Sequence, residues 1–289
     1  MAQEHDGGGT PRRVLVTGAS SGIGRATARL LAGRGWRVVA TARRERRLHE
    51  LAAQQREAGR VVEVLPADLS EAAETRRLVE RLRAGGPLHA LVHIAGTALG
   101  ADSVEDGRDE EWLRMFEVNV AATRRLLALS LPLLREAALE PAADGGARHA
   151  DIVAVTSTAA RVRYEGGAGY SAAKAGEAAL LEVLRLELAG EPLRIMEIAP
   201  GMVRTEEFTR TRLRGDEAAA AALYEGVEHP LTAEDVALVI AGALELPGHV
   251  NVDQLVLRPV AQAAQHKLVR GPLRPRTVQA PGEPEEPRP

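Results

Sequence analysis

Short apolar runs alternate with longer stretches of helical periodicity along this chain, and that rhythm limits the fold more than any other feature. Apolar strands are expected at Arg13–Thr17, Trp36–Thr41, Val61–Pro66, Leu88–Ile94, Ile152–Ser157, Arg194–Ala199 and Val252–Leu257. Helices are expected at Arg25–Arg34, Arg46–Ala58, Glu71–Ala84, Glu110–Glu136 with an interruption near Pro132, Tyr170–Ala189 and Ala233–Glu245. Thr232 is placed to cap the last helix, and Pro247-Gly248 to stop it. Strands separated by single helices pair in parallel through right-handed crossovers. Strands without polar alternation are buried on both faces. The expected fold class is α/β: a single doubly wound Rossmann-type domain with a parallel sheet of about seven strands, spanning residues 11–269. Residues 1–10 read as a flexible N-terminus, Pro141–His149 as a surface loop, and the Pro-, Arg- and Glu-rich residues 270–289 as a disordered, solvated tail.

Composition removes several kinds of function. The 289 residues include no cysteine, which excludes disulfides, thiolate catalysis and cysteine-based zinc sites. A net charge of −3 gives no general attraction to nucleic acid or membrane. No apolar run approaches the roughly 20 residues that span a bilayer, and the polar, Gly-rich start carries no apolar signal core. A cytoplasmic protein with neither nucleic-acid nor membrane partners is the expectation. Arg is abundant, yet Lys stands only at 174 and 267 and Asn only at 119 and 251. Positions that keep these two residue types are candidates for chemistry that Arg or Asp cannot supply.

The first strand runs into Thr17-Gly18-Ala19-Ser20-Ser21-Gly22-Ile23-Gly24, which opens the first helix. Glycines here permit a tight turn and let a phosphate approach the backbone, while the helix N-terminus offers free N–H groups and positive partial charge. A Gly-rich turn alone is weak evidence, but the strand–turn–helix context is met. The second strand ends in Thr41-Ala42-Arg43-Arg44, with no acid before Glu45 to take a ribose 2′-hydroxyl. Two guanidinium groups there suit a 2′-phosphate. The alternative is that Arg43 and Arg44 belong to a solvated basic run with Arg46 and Arg47. Of the two readings, phosphate binding is preferred.

Ser157 closes the fifth strand, on the sheet edge where ligands of open α/β folds sit. Tyr170 and Lys174 follow, four residues apart on one helix face. An ammonium beside a phenol favours the phenolate, so Tyr170 is expected below the usual tyrosine pKa and able to exchange a proton near neutral pH. Ser157 can hydrogen-bond a substrate oxygen as charge develops. Asn119, inside the long helical region, can hold a water linking Lys174 to bulk. Taken singly, these residues are more often a strand-end cap and a surface pair.

Together they resemble a classical short-chain dehydrogenase/reductase. The family's glycine motif matches Thr17 to Gly24, its adenine-contacting Asp matches Asp68 in Ala67-Asp68-Leu69, and its catalytic Asn, Ser, Tyr and Lys fall on Asn119, Ser157, Tyr170 and Lys174. The Pro-Gly motif falls on Pro200-Gly201, with Val203 and Thr205 at the nicotinamide end. The resemblance implies cofactor contacts from Gly18, Ser20 to Gly24, Arg43, Arg44, Asp68, Leu69, Ala95, Gly96, Asn119, Tyr170, Lys174, Pro200, Gly201, Val203 and Thr205. It further implies substrate contacts from Ser157 and Tyr170, and no metal. One departure is His93-Ile94-Ala95-Gly96, where the family carries Asn-Asn-Ala-Gly; His93 reads as a satisfied core histidine rather than a catalytic one. The segments 198–208, 231–236 and 249–252 are similar to the NADP-dependent 3-hydroxy acid (serine/allo-threonine) dehydrogenases. That similarity implies NADP(H) and oxidation of a small 3-hydroxy acid, or reduction of its carbonyl. It also implies a lid over 202–228 with Arg204, Arg210 and Arg212 as carboxylate candidates. A biosynthetic aldehyde or ketone reductase, and a non-catalytic NADP-binding sensor or scaffold, are the competing readings. The family's habit of assembling through the Tyr-bearing helix, together with the Ala- and Leu-rich stretch 175–188, favours a homotetramer over a dimer. If a guanidinium holds a 2′-phosphate, Arg43→Asp weakens NADP far more than NAD in a binding titration; equal loss for both removes that assignment.

Overall fold

The computed structural model describes residues 11–141 and 146–275. Seven strands form one parallel sheet: β1 (Arg13–Thr17), β2 (Arg37–Thr41), β3 (Val62–Val64), β4 (Ala90–His93), β5 (Ala150–Val155), β6 (Leu193–Pro200) and β9 (Gln254–Leu257). Their spatial order is β3-β2-β1-β4-β5-β6-β9, with every adjacent pair parallel. The order reverses between β1 and β4, and the crevice at that switch point is where open α/β sheets bind ligands. β1, β4, β5 and β6 are buried along their whole length, which accounts for their unalternated apolar sequences.

Helices cover both faces. On one lie α1 (Gly22–Gly33), α2 (Glu45–Glu57) and α9 (Ala233–Leu244), which bury Leu31, Leu48, Leu51, Val236 and Ile240 against the sheet. On the other lie α3 (Ala72–Ala84), α5 (Ala122–Ala138) and α6 (Ala168–Glu187), contributing Leu78, Leu82, Leu126, Leu133 and Leu181. A buried Leu contributes about 1.5–3 kcal/mol, so these two faces hold the sheet between them. Thr232 caps α9 through a reciprocal capping box with Asp235, as the sequence leads one to expect.

The long helical region breaks in a different place from the one expected. α5 continues through Pro132, while α4 (Asp109–Phe116) passes into a π-helical turn at Glu117–Ala121 before α5 begins. Proline costs one backbone bond and a local clash; the π turn instead swings one side chain, Asn119, inward to bonds that no regular helix would allow. Four short strands lie outside the main sheet: β7 (Val203–Arg204) pairs with β8 (Leu231–Thr232), and β10 (Gln262–Ala264) with β11 (Lys267–Leu268). Between β7 and β8 lie the short helices α7 (Phe208–Arg212) and α8 (Glu217–Ala222), within the segment expected to be a lid. Of the stretch read as a solvated tail, Arg270 reaches the carbonyls of Ala222 and Glu225, Gly271 bridges Val227, and Leu273 bonds Glu228; 276–289 and 1–10 lie outside the described residues. No described helix is long and apolar enough to cross a membrane.

Candidate active site

A cleft of roughly 840 Å3 runs along the C-terminal edge of the sheet. It is lined by Gly18, Ser20 to Gly24, Arg43, Arg44, Asp68, Leu69, Ala95, Gly96, Ser157, Tyr170, Lys174, Pro200, Gly201, Val203 and Thr205. The residues expected at the site therefore converge on one cavity, with a single exception, Asn119, which is wholly buried behind it. Backbone geometry dictates the glycines. Gly18 sits at φ +67°, where a Cβ would come within 3.1 Å of the Ala95 nitrogen. At Gly24 a Cβ would lie 2.2 Å from the Gly18 carbonyl oxygen, so only glycine lets α1 start hard against the turn. The first amides of α1 then face the cavity, a ready site for a dinucleotide's phosphates.

Four side chains tie the strand ends together, and the donors can be assigned from the bonds themselves. Thr17 Oγ1 accepts from the amides of Ile94 (2.9 Å) and Ala95 (3.0 Å). Its own proton therefore goes to His93 Nδ1, 3.0 Å away. His93 is then the Nε2–H tautomer and donates to Thr123 Oγ1 at 2.9 Å, and Thr123 donates to the Asn119 carbonyl at 2.8 Å. Burial and the nearby Lys174 push the His93 pKa down to about 3. The residue is a neutral, fully bonded core histidine, and it braces β4 against β1 and the π turn. Asn119 does not hold its side chain free for a water. Its Nδ2 donates to the carbonyls of Thr97 (2.9 Å) and Met115 (2.8 Å), and its Oδ1 accepts from the Thr97 amide at 3.1 Å. These side-chain bonds tie the Thr97 backbone to the end of α4, behind the cleft. Gly96 is required in turn, since a Cβ there would lie 2.8 Å from Asn119 Oδ1 and 3.2 Å from Lys174 Nζ.

α6 brings Tyr170, Lys174 and Glu177 onto one face at i, i+4 and i+7. Ser157 stands just past the end of β5 and lines the same cleft as Tyr170, its Oγ accepting from the Ala159 amide at 3.1 Å and acting to lower the pKa of the phenol. Lys174 Nζ donates to the Val155 carbonyl at 3.2 Å and to Glu177 Oε2 at 2.6 Å. Burial acts to discharge the ammonium, but Glu177 more than reverses this and holds the Lys174 pKa above its ordinary value. The expectation of a lowered Tyr170 pKa is not met. Burial of the phenol outweighs the pull of Lys174 and of Ser157, and Glu177 opposes that pull, so the phenol is pushed up rather than down. Sequence reading passed over Glu177; an acid three residues past a retained Lys, on the inner face of an Ala/Leu helix, was the available signal.

At the far end, Arg44 reaches back to the glycine turn, with Nη2 bonded to Ser20 Oγ (2.9 Å) and Ser21 Oγ (2.8 Å). Its Nη1 meets Glu207, which also pairs with Arg47 at 2.6 Å. Arg43 lines the cleft and exerts its charge on Asp68. Two hydroxyls and two guanidiniums thus form a cradle for an anion, and a lid carboxylate rests in it. The rest of the lid is pinned over Tyr170: Phe208 meets its ring edge-on at 5.7 Å, and the Arg212 guanidinium lies 5.9 Å from its centre and 5.2 Å from that of Tyr164. Arg212 is held by the carbonyls of Gly100 and Gly166 through Nε and Nη2, so its charge faces the cavity from a fixed position. Arg204 and Arg210, the other carboxylate candidates, do not line this cleft; both border a smaller hollow on the outer side of the lid.

Residues 12–215 match the short chain dehydrogenase family, and the chain belongs to it. An uncharacterized oxidoreductase of Mycobacterium tuberculosis is 45% identical over 267 residues, covering 92% of this chain and 98% of that protein. A protein named sulfoacetaldehyde reductase 2, from Chromohalobacter salexigens, is 38% identical over 251 residues, covering 86% of this chain and 95% of its own. Among solved structures, the closed form of a serine dehydrogenase complexed with NADP+ superposes with a TM-score of 0.78 at 31% identity, over 89% of this chain and 99% of that one. The chain is an oxidoreductase of this family.

His93 gives the site a pH signature. Its folded pKa of about 3 lies below the ordinary 6.5, so the unfolded chain binds the proton first as pH falls. The contribution of His93 to stability is fully present above about pH 6.5 and is lost by up to about 1.4 kcal/mol per pH unit below it, down to the folded value. His93→Asn removes that part of the slope in acid unfolding curves; an unchanged slope would show that the histidine is not buried neutral.

Proposed function

We propose that this protein is an NADP-dependent oxidoreductase that interconverts a small 3-hydroxy acid and its carbonyl, with Tyr170 as the proton-transferring group. The observation that carries the reading is the meeting of Ser157, Tyr170 and Lys174 on one wall of the cleft, beside a glycine turn and an anion cradle. The cradle fits a 2′-phosphate, because Arg44, anchored on the Ser20 and Ser21 hydroxyls, already binds the Glu207 carboxylate together with Arg47, and Arg43 adds a further charge at its edge. The glycine turn and the Arg44 cradle would hold NADP(H) along the cleft, and the cofactor would supply or accept the hydride. Ser157 would orient the substrate oxygen. In reduction, hydride adds to the carbonyl carbon, the π pair moves onto oxygen, and that oxygen takes the proton from Tyr170 Oη. Lys174 returns a proton toward the phenolate, and solvent completes the balance. Oxidation runs the same steps backward.

Arg212 supports an acidic substrate. It is the cationic side chain of the lid that lines the cleft near Tyr170, and its Nη1 makes no hydrogen bond among the described residues. A carboxylate or sulfonate placed there leaves the reacting carbon within reach of the phenol, which agrees with serine and sulfoacetaldehyde in the names of the relatives. Exposed Leu113 and Phe116 on α4, with Val183 and Leu186 on α6, support a homo-oligomer, the tetramer preferred, assembled through these helices.

The test is a panel of β-hydroxy acids and short aldehydes assayed with NADP(H). Tyr170→Phe is expected to lower kcat by at least about a thousandfold while NADPH binding, followed by fluorescence, persists. Arg212→Leu raises KM for acidic substrates about tenfold or more and leaves neutral aldehydes unaffected. Undiminished turnover by Tyr170→Phe refutes the mechanism; the absence of turnover on any substrate, with NADPH bound, supports the sensor reading instead.

A further inference from the structure

Glu177 has no part in the chemistry above, yet it is the residue most firmly attached to it. Its side chain is fully buried, Oε2 lies 2.6 Å from Lys174 Nζ, and Oε1 has no hydrogen-bond partner among the described residues. A carboxylate carried into an apolar interior is costly unless something depends on it. The neighbouring inward positions of α6, Ala173, Ala178 and Leu181, are apolar, so nothing about that face calls for a charge.

What depends on it is the charge around Tyr170. The groups that face the phenol or the ammonium come from every element packed around them. Lys174 and Glu177 come from α6, Ser157 from the end of β5, and neutral His93 from β4. Tyr164 comes from the loop before α6, Arg212 from the lid, and Glu197 from β6. Glu197 is already neutralised. Its Oε1 accepts from Arg161 at 2.7 Å and from Thr156, and its Oε2 accepts from Arg161 at 2.8 Å. Arg212 is shared between two carbonyls and two aromatic rings. That leaves Glu177 as the buried carboxyl in direct contact with the ammonium; burial raises its pKa, and the charge and hydrogen bond of Lys174 act against that rise.

We propose that Glu177 is a positioning residue that keeps the Tyr170–Lys174 pair fully protonated, phenol plus ammonium, and so sets the free site as a proton donor poised for carbonyl reduction near neutral pH. The reasoning is electrostatic. With the carboxylate present, removing one proton from the pair takes the local triad from neutral to a net negative charge in a desolvated place. Without it, the same loss takes the cluster from a net positive charge to neutral. The second loss is easier whichever of the two groups gives up the proton, since phenolate–ammonium and phenol–amine are forms of one singly deprotonated state. The same contact fixes Nζ between Glu177 and the Val155 carbonyl, on the side of Gly96 where a Cβ would touch it. The inference rests on Tyr170 being the proton-transferring group.

The experiment compares wild type, Glu177→Gln and Tyr170→Phe. For each, kcat/KM is measured from pH 6 to pH 10 in both directions, alongside NADPH binding and thermal melting. In Glu177→Gln the rising limb of alcohol oxidation is expected to move about one pH unit lower, making oxidation at pH 7 up to about tenfold faster. The falling limb of reduction moves down with it, so reduction at pH 9 drops by a similar factor. A side chain that merely packs would change kcat or melting without moving either limb. Unmoved limbs, or limbs moved upward, overturn the proposal even if Tyr170→Phe is inactive; an active Tyr170→Phe instead overturns the underlying assignment. Should Glu177→Gln fail to fold, wild type labelled at tyrosine Cζ answers the same question by carbon NMR, with Tyr170→Phe supplying the assignment. A Tyr170 signal that remains that of a phenol at pH 9 supports the role of Glu177, and phenolate at pH 8 refutes it.

Discussion

Everything at the sheet's edge hangs on one hydroxyl. Thr17 accepts two backbone amides from the strand beyond β4 and then has one proton left, which it can give only to His93. From that point the direction of every bond is determined through His93 and Thr123 to the Asn119 carbonyl, across β1, β4 and the π turn. A fully satisfied polar chain in a low-dielectric interior is stiff, and each member polarises the next. The Gly96 backbone passes between this chain and Lys174 with no room for a methyl group. The floor of the cleft is thus assembled from the back: of these four residues His93 lines the cavity, and Thr17, Asn119 and Thr123 lie behind it.

Much of the fold was legible because its strongest signals are local. Buried parallel strands advertise themselves as unbroken apolar runs, and a glycine turn between strand and helix leaves few alternatives. The cleft residues were legible for the same reason, since each belongs to a short motif. The failures come from interactions that join distant segments. Pro132 is a conspicuous local helix breaker, yet the break falls at Asn119, because the side chain's bonds to Thr97 and Met115 decide the backbone there. Likewise, the ammonium beside Tyr170 promised an acidic phenol, but spacing along one helix carries no information about burial depth or about the carboxylate one turn further on. The pairs β7–β8 and β10–β11 are too short for periodicity to register.

Charge is distributed by the sheet in two ways. At the N-terminal edge, Asp151 is buried between Arg194, at 2.6 Å, and Arg12, at 3.0 Å, while Arg194 also satisfies carbonyls of Leu244, Leu246 and Val250 beyond α9. Those charges are closed off and tie chain ends together. At the C-terminal edge the charges are left incomplete: an oxygen of Glu177, a nitrogen of Arg212, and a cradle filled by a movable carboxylate.

The lid is held at several unrelated places, Arg212 on the Gly100 and Gly166 carbonyls among them. Arg214, at a left-handed φ of 54°, grips both Asp102 in the loop after β4 and Glu111 on α4. Glu207 rests in the arginine cradle, and Arg270 clasps the carbonyls at the end of α8. A flap tethered this way cannot swing about one hinge. Each clamp engages a different neighbour. An anion arriving at Arg44 would compete with Glu207 for the same guanidinium, so filling the cradle and freeing that end of the lid are one exchange.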